Sequence, residues 1–345
     1  MDGKDRYSFP LEPNFNKEEI LKRFIKWEDR SCTDKRLHYE ILVSKNMSPV
    51  RLSSINVKTS SSRIVLGQFV NSSQSRIALT IELELIPREV GPGDWVDIAQ
   101  QRDGESFLVR RGVYSKGGML LDSLTKLSLE NTRLIRRTHA VKDHNRIFKI
   151  QTSAPEDIYR AVADEFYISH SSLVLLHPEN ESCAETTKRF VLGNKPIASF
   201  DYPESWSVNT EAREPGLALW VNIDHLHRDK RTGRIFIRTF PKNAGYNTMS
   251  IVQNQMRYLQ ETGLNVKGAP LIEATVKDGF IRSWVMLCSA FRKQQEGMVA
   301  ITVLEHASLW IVVGLVGPAR ETAPEWWAIN KRAFEIVYSS LQLSI

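Results

Sequence analysis

The sequence predicts an α+β protein: two tandem antiparallel-sheet and helix sandwiches, preceded by an extra amphipathic helix. Two observations carry that class, an internal repeat and strand periodicity gathered into meanders that each close on a helix. The first copy of the repeat reads Lys116-Gly117-Gly118-Met119-Leu120, Asp143-His144 before Ile147-Phe148, Ser153-Ala154-Pro155-Glu156, then Ser171-Ser172-Leu173. The second reads Lys277-Asp278-Gly279-Phe280-Ile281, Glu305-His306 before Leu309-Trp310, Thr322-Ala323-Pro324-Glu325, then Ser339-Ser340-Leu341. Matched positions lie 161, 162, 169 and 168 residues apart. Duplication with small loop insertions leaves such offsets, and a solenoid unit spans only about 20–50 residues. The period is that of a whole domain.

Taken in order, residues 1–46 read as an N-terminal arm with its own helix. Asn16 and Glu19 form a capping box ahead of Ile20, Leu21, Phe24, Ile25 and Trp27, whose spacing makes a helical apolar stripe. That stripe either packs on the first domain or docks in a partner's groove. The first domain, 47–178, opens with strands at 51–57 and 64–70. It continues with the alternation of Ile77, Leu79, Ile81, Leu83 and Leu85. A short helix at 94–101, strands at 106–114, 119–129 and 132–151, and a helix at 155–168 complete it. Residues 179–196 read as a connector. In the second domain, 197–345, an opening strand at 200–208 has a proline where no ladder N–H is needed. Strands at 217–223 and 234–240 follow. Asn247 caps a helix at 248–262 that Gly263 ends. A meander at 269–276, 280–291, 298–305 and 309–316 leads to a helix at 324–341, with Pro324 in its first turn.

Composition excludes several classes. The chain has 345 residues, 42% of them apolar and 25% charged, as in ordinary globular proteins. Cys32, Cys183 and Cys288 are too few and too scattered for a disulfide framework, and no pair has metal-ligand spacing. The charged start, Met1 to Arg6, precedes no apolar signal core, and the longest apolar stretch, Leu309 to Val316, is too short to span a bilayer. The expectation is a cytoplasmic protein. The net charge of +6 raises a nucleic-acid reading, centred on Arg133, Arg136, Arg137 and Lys142 of one strand. Charges on a strand more often mark its solvated face, and the stacking aromatics of a nucleic-acid groove are sparse here.

Catalytic chemistry is not evident. No phosphate loop, dinucleotide fingerprint, nucleophile elbow or zinc-protease motif occurs. The nearest approach to a metal site is Asp224, His225, His227 and Asp229, with two histidines on one strand face, but Arg228, Lys230 and Arg231 oppose a cation. His144 and His306 occupy matching places and read as hairpin closures. Cys288 reads as a buried core thiol. Trp326 and Trp327 open the last helix, where one must leave the core stripe and becomes available for contact with another domain or a partner.

The strand Phe200-Asp201-Tyr202-Pro203-Glu204-Ser205-Trp206, with the elements after it, resembles the PsbP/Mog superfamily. The first copy lacks that motif, Met47-Ser48-Pro49-Val50 being its nearest counterpart. Members include the photosystem II extrinsic subunit, Ran-binding Mog proteins and Eag-type bacterial secretion chaperones. The resemblance implies a non-catalytic protein without cofactor: an adaptor, chaperone or assembly component of a bacterial secretion system. Its partner would be another protein, a secreted effector or a part of the machine; the contact residues expected from the apolar stripe and from the start of the last helix are Ile20, Phe24, Trp27, Trp326 and Trp327.

Overall fold

A computed structural model describes residues 15–51, 63–115, 118–129, 131–179, 181, 183–191, 198–211, 220–292 and 295–343. The chain is of the α+β class and divides into two compact units, Met1–Pro87 with Pro92–Ala184, and Arg88–Gly91 with Glu185–Ile345. The strand expected at 51–57 and the repeat residues Lys116 and Gly117 fall, past Arg51, outside the described residues.

The first unit begins with α1 (Lys17–Arg23), held by the expected capping box: the Glu19 N–H donates to Asn16 Oδ1 at 2.9 Å. Its second half is not helical. Phe24–Asp29 form a strand, β1, whose ladder with β2 (Tyr39–Ser44) satisfies the backbone that the helix would have satisfied. The unit continues with β3 (Met47–Pro49), β4 (Arg63–Asn71), β5 (Ala78–Leu85), α2 (Pro92–Arg102), β6 (Ser106–Ser115) and β7 (Gly118–Leu129). Then come β8 (Thr132–Asp143), β9 (Arg146–Pro155), α3 (Tyr159–Ser171) and β10 (Val174–Leu175). The single strand expected at 132–151 is thus a hairpin turning at His144-Asn145, with His144 at a positive φ of 53°. Two sheets result, a seven-stranded one in the order β3-β4-β5-β9-β8-β7-β6 and a small one in the order β1-β2-β10. Residues 24–44 are part of this unit rather than an arm.

The second unit runs β11 (Thr187–Val191), β12 (Ala198–Pro203), β13 (Trp206–Glu211), β14 (Trp220–His227), β15 (Lys230–Pro241), α4 (Thr248–Glu261), β16 (Asn265–Val266) and β17 (Ile272–Glu273). It ends with β18 (Arg282–Arg292), β19 (Gln295–Glu305), β20 (Leu309–Pro318), α5 (Pro324–Ser340) and β21 (Gln342–Leu343). Its main sheet has the order β13-β14-β15-β20-β19-β18-β16, with β17 also on β18, and its small sheet the order β11-β12-β21. The expected connector therefore contains β11. The opening strand breaks at Glu204-Ser205, its halves entering different sheets.

Strand order recurs between the units, and so does register. The cross-strand row Asp122, His139, Ile150, Ile81, Gly67 in the first unit corresponds to Val285, Thr302, Val313, Ile237, Val221 in the second. One size exchange accompanies it. A Cβ on Gly67 would overlap the hydroxyl of buried Tyr39 on β2, whereas the second unit has Ala198 in place of the tyrosine and Val221 in place of the glycine. The third repeat landmark is not equivalent: Pro155 ends β9 opposite Leu134 and Pro318 ends β20 opposite Gly297, while Pro324 starts α5.

The fourth landmark carries a bond. The Leu42 N–H on β2 donates to Ser172 Oγ at 2.9 Å, just past α3. The Asp201 N–H on β12 donates to Ser340 Oγ at 2.8 Å, at the end of α5. Each hydroxyl donates back into its own helix, to Ser169 O at 2.9 Å and to Ile336 O at 2.7 Å. Each closing helix is thereby tied to the small sheet beside it. Replacing either serine with alanine leaves a strand N–H without its acceptor, which costs about 1–3 kcal/mol. Urea unfolding of S172A and S340A is expected to show that loss.

Candidate functional site

In the second unit α5 packs on β12, β20 and β15, and α4 lies over the opposite face. The outer strands take one helix and not the other. On β18, Met286, Cys288 and Ala290 are buried in the core beneath α4. The intervening side chains face the other way and find no cover: Val285 is 37% exposed and Leu287 60%. Ile272 of β17 stands opposite Val285 and is 62% exposed, while Ala300 of β19 stands opposite Leu287, half-buried. Met298 continues the surface, and the stacked rings of Phe334 and Tyr338 on α5, 6.1 Å apart, stand half-buried against the same core.

The first unit closes the equivalent surface. Asp122, Leu124 and Arg137 occupy the register of Val285, Leu287 and Ala300, and all three are buried. There α3 packs on β2, β9 and β8, and its Tyr167 ring lies 5.2 Å from the Arg137 guanidinium. The same register positions are thus apolar and open in one unit and closed in the other.

Sequence reasoning missed this face. The alternation of β18 shows that one side is apolar and the other mixed, but the reach of α5 decides which side is covered. The residues it did select lie elsewhere. Ile20 is half-buried on the seven-residue α1, Phe24 is buried, and Trp27 packs edge-on against Phe69 with ring centroids 5.2 Å apart. They form no continuous stripe. Trp326 lies against His225 and His227, at 5.5 and 4.8 Å, while Trp327 stacks with the cations of Arg320 and Lys331.

The basic strand does not present a cationic face. Arg137 is buried and donates to both oxygens of Asp122 at 3.0 and 2.8 Å, and Arg111 shares that carboxylate at 2.8 Å. Arg136 pairs with Glu105, and Lys142 is buried; only Arg133 is exposed. Nearby carboxylates take up the charges of Arg136 and Arg137.

The histidine segment is a two-residue hairpin, with Arg228 and Asp229 at positive φ of 48° and 61°. His225 and His227 share a face, as their spacing predicts, but the four residues do not converge. Arg234 takes both oxygens of Asp224 at 2.7 and 2.8 Å, and Asp229 lies exposed in the turn. His225 Nδ1 meets the Thr232 hydroxyl at 2.6 Å, with its ring 5.1 Å from Trp206. Among the described residues no group of three His, Cys, Asp or Glu side chains is placed to hold a metal. His144 and His306 close hairpins. His144 Nδ1 meets the Cys183 carbonyl at 2.9 Å, and His306 Nδ1 meets the Ser308 hydroxyl at 3.2 Å. Cys288 is buried, and burial raises its thiol pKa. No helix among the described residues is long and apolar enough to cross a membrane.

No family model matches the chain, nor does any curated protein. Among solved structures it is similar to cyanobacterial PsbP (CyanoP) from Synechocystis sp. PCC 6803, at 12% identity over 44% of this chain and 92% of that one, TM-score 0.34. It is also similar to the immunity protein TplEi of T6SS from Pseudomonas aeruginosa, at 11% identity over 88% and 94%, TM-score 0.26. A third is the Tle4–Tli4 complex, at 11% identity over 88% and 94%, TM-score 0.24. Likeness at this level assigns neither family nor activity.

Two measurements test this geometry. Burial, and after it the charge of Arg88, push His225 down to about 4 from its ordinary 6.5. The unfolded chain therefore binds the proton more readily, so stability is complete above pH 6.5 and falls as pH drops from there through 4. The thermal midpoint is expected to decline across that window, with a shallower slope in H225Q. Removing the carboxylate of Asp122 (D122A) strands the buried Arg137 charge and is expected to cost about 3–5 kcal/mol in denaturant unfolding.

Proposed function

We propose that this chain is a non-catalytic protein-binding protein, an adaptor, chaperone or assembly component, whose partner docks on the open sheet face of the second unit. The uncovered apolar row of Ile272, Val285 and Leu287 carries the reading. Burying three such side chains against a partner is worth several kcal/mol before the costs of association, at about 1.5–3 kcal/mol each. The face is apolar and built on the paired strands β17, β18 and β19, which suits a partner segment presenting its own apolar side chains. We further propose that the two units are a tandem of PsbP/Mog-like folds, each with a main sheet, a small sheet and a closing helix. That reading is supported by the recurrent strand order, the shared register and the matched Ser172 and Ser340 bonds.

The setting we propose is a bacterial secretion system, with a secreted protein as partner, following the Phe200–Trp206 resemblance. The test compares L287D with the unaltered protein in affinity purification from the native cell. Leu287 contributes little to the core, so L287D is expected to keep the thermal midpoint within about 1 °C while losing a stoichiometric protein partner. Equal recovery of that partner by both proteins would place the contact elsewhere.

A further inference from the structure

At one end of the second unit's main sheet, a cleft of about 350 Å³ opens where β15 begins, β20 ends, and α4 and α5 meet the sheet. Its walls mix two chemistries. Phe236, Tyr258 and Trp326 supply aromatic surface, and Arg231, Arg234 and Arg292 supply guanidinium groups. A fourth guanidinium lies behind the aromatic wall. Arg238 is fully buried, its carbon 3.9 Å from the Tyr258 ring centroid and 4.7 Å from that of Phe236.

The local charge is unbalanced. Asp224 is committed to Arg234 at 2.7 Å and is shared only loosely with Arg231, at 4.0 Å. Arg292 has no ion-pair partner among the described residues, and Glu296 is the only acidic side chain in the lining. The lining thus carries three guanidinium groups and one carboxylate, with Asp224 held by Arg234 beside it. Burial, and then the neighbouring Arg234 charge, lower the pKa of Arg231, as expected where cations crowd without enough anions. Helix α5 adds to the same field: Ala323, the residue before its first turn, lines the cleft and offers no side-chain cap, so the positive end of the helix dipole is here.

We propose that this cleft binds a small organic anion, a carboxylate or phosphate carried on a flat apolar body. Arg231 and Arg292 would take the anion, in the bidentate manner for which guanidinium is suited. Tyr258 and Trp326 would flank the ring. The volume is at the lower limit of small-molecule sites, which confines the ligand to about one ring and its acid group. This inference does not depend on the open sheet face, whose residues do not line the cleft.

Calorimetric titration of the full chain with phenyl phosphate, benzoate, inorganic phosphate and neutral phenol tests it. One or both aromatic anions are expected to bind saturably with one-to-one stoichiometry, while phenol does not. The arm that binds identifies the acid group. R292Q is expected to weaken that binding about tenfold or more, and R231Q similarly. W326A is expected to weaken the aromatic anion but leave inorganic phosphate unchanged. Arg292 is exposed at a strand end, so R292Q keeps the fold and decides the matter even if R231Q does not. Absence of saturable binding by both aromatic anions at millimolar concentration, or unchanged affinity in R292Q, would overturn the proposal.

Discussion

A helix is about 10 Å across, and a sheet of seven strands spaced about 4.8 Å apart is roughly 29 Å across. Covering both faces of such a sheet with one helix each is not possible, and much of this molecule follows from that shortfall. Each unit brings a second small sheet over one face, tied to the end of the closing helix through a serine hydroxyl. The hydroxyl fixes where the helix ends on the sheet. The strands beyond its reach must then be closed by other side chains, polar or aromatic, or left open.

The two units answer differently. In the first, the face beneath α2 is filled with charge: Lys149 donates to Glu84 at 2.9 Å, Arg63 holds Glu82 at 2.8 Å, and Gln100 bonds Ser123 and Thr138 at 3.1 Å. At the same register positions the second unit carries Phe240 for Glu84, Val312 for Lys149 and Ile301 for Thr138, a mainly apolar core beneath α4. Buried ion pairs seldom add net stability over apolar packing, since desolvation offsets attraction. Their contribution is to restrict which partners each side chain accepts. The opposite face reverses the contrast, with Asp122 and Arg137 closed in the first unit and Val285 and Leu287 open in the second.

Much of the architecture was legible because local rules and tertiary structure agree. The alternation from Leu79 to Leu85 lies on β5, and Asn247 caps α4 through its side chain and Ser250, as its place before the helical stripe requires. The Ser-Ser-Leu landmark marks equivalent residues. Where the reading failed, a long-range partner outweighed a local pattern. Phe24, Ile25 and Trp27 have helical spacing, yet β2 pairs with them and Phe69 receives Trp27. The arginines of β8 resemble a solvated stripe until Asp122 and Glu105 are placed beside them. The open face was not legible at all, because exposure of β18 depends on where α5 ends.

The open face and the arginine cleft both lie in the unit with fewer buried charges. Within the first unit most buried cations meet a carboxylate, as Arg137 meets Asp122, Arg146 meets Asp143 and Lys149 meets Glu84. The second unit carries apolar side chains at many of the matching positions, and its buried charged side chains among the described residues are Glu89, Asp224 and Arg238. Arg238 stands at the register of Glu82 and is held by the rings of Trp220 and Tyr258 and by Gln255, with no carboxylate among these contacts. A cation–π cage stabilises a buried guanidinium without neutralising it. The guanidinium groups of Arg231, Arg234 and Arg292 line the cleft where the sheet ends. The second unit thus offers two surfaces of different chemistry, an open apolar face on β17 and β18 and a guanidinium-lined cleft at one end of the sheet, and the two suit different ligands.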